Sequence, residues 1–231
     1  MSLWCAQWFW PPAERRPSAA EIRAGADSLV HGKGDLTEAH AVKLATTARE
    51  VAIRQQCFHW TLEFPDVFYD ACGGRRRRPD GGDDAGFDAV IRNPPWEKIR
   101  RDRTSGRTGQ SRDQIVTFIR ESGLYPLCRH GHLNLYQPFL ERALTLAHGA
   151  GRIGLILPWG LAADDGAAIL RRTPNDRSRV HTIVGLDNAA AIFPVHRGLR
   201  FLVLVASPGG TTGEIRARFG VRTVEEIDDL P

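Results

Sequence analysis

The stretch FDAVIRNPPWEKI, residues 87–99, holds the residue types in this chain that are best suited to chemistry. An apolar run ends at Asn93-Pro94-Pro95-Trp96, and a strand is predicted to stop there because consecutive prolines cannot donate hydrogen bonds to a sheet. The Asn93 side chain and the Pro94 carbonyl then offer two acceptors just beyond the strand. The prolines hold these acceptors in place because proline fixes φ.

Two fixed acceptors suit the exocyclic amine of a nucleobase, whose lone pair is delocalised into the ring. Acceptors aimed at the amine hydrogens localise that lone pair towards a methyl donor. The indole of Trp96 would replace the stacking that a base loses on leaving a duplex. The carboxyl end of a strand is also where α/β sheets bind ligands. A plain strand-ending turn is the alternative, and the flanking strand with Trp96 favours the functional interpretation.

The stretch HGAGRIG, residues 148–154, contains the spacing G-x-G-x-x-G. A dinucleotide-binding turn must follow a strand and open a helix, whereas this one follows a predicted helix and opens a predicted strand. These glycines are therefore expected to end the helix and turn the chain.

Two further patterns leave alternatives open. GGRRRRPDGGDDAG, residues 73–86, would be either a phosphate-binding loop or a solvated insertion, and its lack of apolar residues favours the insertion. Cys128, His130 and His132 have the alternate spacing of metal ligands, but no second cluster accompanies them, and we predict no metal site.

The chain has 231 residues, enough for one sizeable α/β domain or for one domain with a partial second, and 42% hydrophobic and 25% charged residues are ordinary for a globular protein. The formal net charge is +4, and all but three of the 31 basic residues are arginines. Arginine suits bidentate phosphate and guanine contacts, although a coding bias would give the same excess. The charge therefore permits a nucleic-acid partner without requiring one.

The four cysteines are scattered, with no C-x-x-C pair. This pattern argues for a reducing compartment and against a disulfide framework. No apolar run approaches the roughly 18 residues that could span a membrane, and no signal peptide opens the chain. We therefore predict a cytoplasmic location.

The elements that must position the motif follow from hydrophobic patterning. Apolar positions predict helices over 37–56, 114–122, 133–148 and 164–172, and strands over 58–68, 87–92, 153–157, 182–186 and 200–206. Continuous apolar runs are typical of strands covered on both faces, so we expect a mostly parallel sheet flanked by helices. The NPPW motif would then lie at the carboxyl edge of that sheet.

The motif and its surroundings resemble the adenine-specific DNA methyltransferases of restriction–modification systems. The similar flanking stretches are FHWTLEFPDVF, LNLYQPFLERAL, GRIGLILPWGLAADDGAAILR and IFPVHRGLRFLVLVA, and the resemblance covers most of residues 1–207. It implies an incomplete Rossmann-like methyltransferase fold. It also implies transfer of a methyl group from S-adenosylmethionine to the exocyclic amine of a flipped adenine in double-stranded DNA.

The resemblance assigns roles to individual residues. Asn93 and Pro94 would bind the target amine, Pro95 would shape the turn, and Trp96 would stack on the flipped adenine. Phe193 lies in the region where the family places a second aromatic ring against the base, although it could equally be a core residue.

Two features depart from the family pattern or fit it only in part. Phe58 would correspond to the aromatic residue that packs on the cofactor's adenine, but Cys57 stands where an acid is expected before it. Arg92 occupies a position usually held by glycine, and its long side chain would either crowd the cofactor or reach a phosphate.

The family's cofactor turn, an acidic-aliphatic-Gly-x-Gly sequence after the first strand, has no match between Met1 and Asp88. The resemblance thus implies a partial N-terminal helical and linker region over 1–86, the catalytic part over 87–207 and the start of a C-terminal extension over 208–231. A separate N-terminal half carrying the cofactor motif would be a partner. A catalytically inactive remnant, or a DNA-binding or interaction subunit of a split methyltransferase, is the alternative. A methylase acting on RNA or on protein glutamine is disfavoured by the flanks.

Overall fold

The computed structural model of the chain describes residues 2–32, 36–98, 106–163, 178–223 and 225–228. These residues form two compact units. One contains the described residues of Met1–Glu63 and Arg101–Phe118, and the other those of Phe64–Arg100 and Ile119–Pro231. The units divide the chain differently from the predicted segments 1–86, 87–207 and 208–231, because residues 64–86 belong to the same unit as the NPPW motif.

The N-terminal unit is helical. It comprises α1 (Ser2–Ala6), α2 (Ala19–His31), α3 (Glu38–Arg54), α4 (Trp60–Glu63) and most of α6 (Gly106–Glu121). Helix α2 begins with a capping box in which Ser18 and Glu21 satisfy each other's backbone N–H groups. In the core of the N-terminal unit, Phe9 and Trp10 from the aromatic-rich start of the chain pack against Leu44 and Val51 of α3.

The second unit is built on a five-stranded sheet. Its elements are α5 (Pro65–Phe68), β1 (Phe87–Arg92), α7 (Tyr136–Leu146), β2 (Ala147–Pro158), α8 (Gly160–Ala163), β3 (Ser178–Asp187), β4 (Arg200–Pro208), β5 (Arg216–Val221) and α9 (Glu225–Asp228). Short 3-10 turns at Pro126–Cys128 and Asn188–Ala190 complete its regular structure.

The strand order is β1-β2-β4-β3-β5. β1 pairs with β2, and β3 with β5, in parallel, while β4 runs antiparallel to both of its neighbours. Four of the five strands therefore share one direction. The predicted α/β class and mostly parallel sheet are confirmed, and the strands predicted over 87–92, 153–157, 182–186 and 200–206 all belong to this sheet.

The NPPW motif lies at the edge of the sheet where β1, β2 and β3 end, here called the motif edge. Arg92 pairs with Leu155 in the parallel register of β1 and β2, and Asn93 follows directly. β4 begins at the same edge, because Phe201 pairs with Pro158 of β2. Helix α7 supports these strands from one face, since its Leu140 and Tyr136 pack into one core with residues of β2.

Glycines allow β1 and β2 to approach closely at their other end. Gly86 has φ +143°, and a Cβ there would lie 2.5 Å from the His148 backbone nitrogen. A Cβ on Gly151 would lie 2.7 Å from the Phe87 carbonyl oxygen. The G-x-G-x-x-G spacing follows α7, as predicted, but its glycines do not end the helix or turn the chain, because β2 begins at Ala147 and contains all three. Of these glycines, Gly151 serves close backbone packing.

Two local predictions were wrong. Residues 58–68 contain helices α4 and α5 rather than a strand. Pro65 opens α5, and the i, i+4 pair Phe64 and Phe68 meets the Phe87 ring edge-on, with centroids 5.4 and 5.6 Å away. Helix α6 begins at Gly106 rather than at 114, so it is eight residues longer at its start than the predicted helix. The helix predicted over 164–172 lies outside the described residues.

Candidate active site at the motif edge

The motif is anchored on both sides. β1 holds it through the sheet, and beyond it the Leu135 N–H donates to the Glu97 carbonyl oxygen at 3.0 Å. Pro94 is buried between these anchors, while Asn93 and Pro95 are exposed. The Asn93 side chain is therefore accessible to a ligand at the end of a fixed strand.

Trp96 is half-buried and oriented by the sheet. Its Nε1–H donates to the Ile156 carbonyl oxygen at 3.3 Å, and its ring centroid lies 6.0 Å from that of Phe201 with a tilt of 33°. The indole also packs against the core formed by α7 and β2. Part of the Trp96 ring therefore packs in the protein core, and the rest is exposed at the motif edge.

Phe193 is brought into the same group of rings. Its ring meets Phe201 edge-on at 5.1 Å and remains 37% exposed, whereas Phe201 is fully buried. Trp96, Phe193 and Phe201 are called the aromatic cluster below. The sequence offers no signal for Phe201 as a site residue, because it lies within a continuous apolar run typical of any core strand.

The loop that presents Phe193 to the aromatic cluster is organised by Asn188, a residue that no sequence pattern singles out. The Asn188 side chain is fully buried. Its Nδ2 group donates to the carbonyl oxygens of Phe193 at 3.2 Å and Val195 at 3.0 Å, with a longer contact to that of His196 at 3.4 Å. Its Oδ1 accepts from the Phe193 N–H at 3.0 Å. One buried amide thus sets the path of residues 193–196.

Phe58 belongs to the N-terminal unit, where its ring meets Trp60 at 4.9 Å. It is 53% exposed. The preceding residue, Cys57, shares a thiol hydrogen bond with Cys5, and burial raises the pKa of both thiols, that of Cys5 to about 11. A thiol kept neutral does not provide the two acceptor oxygens of the carboxylate expected there.

The arginine-rich loop neutralises most of its own charge. Arg75 pairs with Asp83 at 2.7 Å, and the Arg75 guanidinium holds the pKa of that carboxyl below its usual value. Arg76 approaches Asp84 at 3.6 Å, while Arg78 approaches Asp80 at 3.4 Å. These pairs favour a solvated insertion over a phosphate-binding loop.

Two kinds of feature are absent from the ranges that the structure describes. No helix in these ranges is long and apolar enough to cross a membrane. Within the same ranges, no group of three or more His, Cys, Asp or Glu side chains could hold a metal ion.

The sequence model of the family described as Eco57I restriction-modification methylase matches residues 2–193. The chain therefore belongs to this family, and with it to the methyltransferases of restriction–modification systems. A search of curated proteins found no match.

Several solved structures are similar to this chain. One, described as a modification subunit of a type I restriction enzyme from Vibrio vulnificus YJ016, is 18% identical over 60% of this chain with a TM-score of 0.42. The type I restriction enzyme EcoKI M protein is 20% identical over 84%, with a TM-score of 0.37. The type IIG restriction endonuclease BpuSI is 15% identical over 95%, with a TM-score of 0.39. The chain spans only 26%, 39% and 29% of their respective lengths, and likenesses this distant carry no conclusion about its function.

Proposed function

We propose that this chain carries the target-binding and catalytic part of an S-adenosylmethionine-dependent methyltransferase that acts on the exocyclic amine of adenine in duplex DNA. The observation that carries the proposal is the position of Asn93 and Pro94 directly beyond the carboxyl end of β1. Membership of a restriction–modification methylase family supports it.

The residues of the motif edge suit the methyl acceptor. The exposed Asn93 carbonyl and the backbone carbonyl of Pro94 would accept the two amine hydrogens, which turns the nitrogen lone pair outward. The exposed parts of Trp96 and Phe193 would supply stacking surface for a base extruded from the duplex. S-adenosylmethionine, when bound, supplies the electrophilic methyl group.

The sequence before the motif contains no acidic-aliphatic-Gly-x-Gly turn. Of the glycines before the motif, Gly32 at φ +62° ends helix α2 as its cap and does not follow a strand. We therefore propose that the acidic-aliphatic-Gly-x-Gly turn comes from a polypeptide segment outside this sequence, the N-terminal half in the same or a separate chain. Among the residues that the structure describes, β1 is the last strand on its side of the sheet, and its Ile91 is 84% exposed. An unpaired edge of this kind is where a further strand can add.

Weak or undetectable binding of S-adenosylmethionine by the isolated chain is expected, because the turn that lies against the methionine part is missing. Isothermal titration of this polypeptide alone measures it, with the chain plus its cofactor-binding half as the control. Low-micromolar binding by the isolated chain would contradict the proposed division of the site and restore a cofactor role for residues such as Phe58.

The reaction itself is tested with the enzyme completed by its cofactor-binding half. Duplex DNA is incubated with S-adenosylmethionine labelled in its methyl group, and the DNA is digested to nucleosides. Label in N6-methyladenine is the expected result. Label in methylcytosine only, or transfer to RNA or protein glutamine in preference to DNA, would overturn the proposal.

The second candidate is a DNA-binding or interaction subunit without catalytic activity. The open edge of β1 and the missing cofactor turn favour it for the isolated chain. It predicts no methyl transfer even when the cofactor-binding half is supplied. The nucleoside assay therefore separates the two functions.

A further inference from the structure

Arg92 stands immediately before Asn93 and ends β1. It is exposed at the motif edge, and its guanidinium carbon lies 5.7 Å above the ring of Phe139 on helix α7. Phe139 is itself 37% exposed. The sequence leaves open whether the Arg92 side chain crowds a cofactor or reaches a phosphate. Its position over the Phe139 ring helps to decide between these two roles.

The charge of Arg92 is not compensated by a carboxylate within the described residues. Some arginines of this unit are paired with a carboxylate, as Arg75 is with Asp83 at 2.7 Å and Arg200 with Asp187 at 3.8 Å. A guanidinium about 6 Å or less from an aromatic ring centroid is attracted to the ring without using its N–H groups, which stay available to other acceptors. Arg92 thus lies beside Phe139 with its charge and its N–H donors available to an anion.

We propose that Arg92 is a positioning residue that binds a backbone phosphate of the target DNA strand beside the flipped base. The inference rests on the proposed function, because it needs DNA as the substrate. The open setting at the rim of the sheet fits an extended polyanion, and the planar donors of arginine match two phosphate oxygens. Contact with the phosphate next to the target would fix the register of the strand over Asn93.

The test is the salt dependence of duplex DNA binding by the completed enzyme, measured by fluorescence anisotropy. Each phosphate contact contributes a slope of about −0.9 to log Kobs against log salt concentration. Arg92→Ala is therefore expected to reduce the magnitude of the slope by about 0.9. Equivalently, the affinity advantage of the wild type over this variant should shrink about 3.5-fold between 50 and 200 mM salt.

Three further variants separate the effect of the Arg92 charge from the effect of its contact with Phe139. Arg92→Lys keeps the charge, so the slope should stay at the wild-type value while affinity falls at every salt concentration, because the planar donor array is lost. Phe139→Leu removes the ring beneath the guanidinium and should likewise weaken binding with an unchanged slope. Arg49→Ala, at an exposed position of α3, matches the change in net charge and should leave the slope unchanged.

Three outcomes would overturn the inference. An unchanged slope in Arg92→Ala means that no phosphate is bound there, and lower affinity for S-adenosylmethionine in that variant would assign Arg92 to the cofactor instead. An equal loss of slope in Arg49→Ala would show a diffuse charge effect. The proposed function fails separately, if the wild-type enzyme does not bind or methylate duplex DNA at all.

Discussion

Replacing Asn93 with alanine is expected to lower single-turnover methyl transfer about 100- to 1,000-fold in the enzyme completed by its cofactor-binding half. The substitution removes one of the two fixed acceptors that would localise the lone pair of the target amine, and leaves the Pro94 carbonyl as the other. The fold should tolerate it, because Asn93 is exposed and follows β1 rather than pairing within it. Rapid-quench methylation of a short duplex measures the rate, and thermal unfolding checks the fold.

A Trp96 variant gives the matched control. Trp96→Ala would remove core packing as well as stacking, so Trp96→Phe is the better variant. Phenylalanine keeps an aromatic ring but loses the hydrogen bond to the Ile156 carbonyl oxygen and part of the stacking surface. A stacked base is worth about 1–3 kcal/mol, and only part of that is lost here. This defect should shrink when the target adenine is mispaired and already easy to extrude. The Asn93 defect should persist on the same duplex. Equal recovery of both variants would assign Asn93 to base extrusion and remove its chemical role.

Replacing Asn188 with leucine is expected to destabilise the chain by about 2–4 kcal/mol and to impair methyl transfer. A buried polar group left without its partner costs about 1–3 kcal/mol, and the Phe193 N–H and the carbonyl oxygens of residues 193, 195 and 196 would lose theirs. The loop would then no longer hold Phe193 against Phe201. Urea unfolding of the chain measures the first effect, and single-turnover methylation of the completed enzyme the second.

Two variants sharpen this experiment. Asn188→Asp keeps the shape of the side chain and an acceptor for the Phe193 N–H. It replaces the Nδ2 group, which donates to three carbonyl oxygens, with a carboxylate oxygen that cannot donate. It should therefore be about as harmful as Asn188→Leu. Asp187→Ala removes a cap hydrogen bond to the Ala189 N–H at 3.1 Å and the 3.8 Å ion-pair contact with the exposed Arg200. An exposed ion pair contributes little, so the variant should cost about 0.5–2 kcal/mol. An effect of Asn188→Leu no larger than that of Asp187→Ala would show that the buried amide does not organise the loop.

The strands of the sheet and the place of the motif follow from local features of the sequence. Pro94 and Pro95 end β1 because they lack a backbone N–H, and the apolar runs that form β2, β3 and β4 are continuous enough to be recognised singly. Parallel strands end at a common edge, so a motif at the end of one strand lies near the end of its neighbour. This reasoning is enough to predict the position of Asn93.

Local pattern fails where distant residues decide the outcome. The alternating aromatics of residues 58–68 suit a strand, yet Phe64 and Phe68 lie in or beside short helices because together they can cover Phe87. The start of α6 is also missed. Its first residues are polar and basic, and such composition does not distinguish a solvated helix from a loop.

The sequence by itself determined the motif, the strand that ends at it and the family to which the chain belongs. Only the tertiary structure decided that Trp96 is tied to Ile156, that Phe201 joins it to Phe193, and that Asn188 holds the intervening loop. It also decided that Arg92 lies on Phe139. These contacts join residues of different elements, and each depends on strand register and helix placement. A pattern along the chain reports the period of one element, whereas a site assembled from several elements exists only once they have packed.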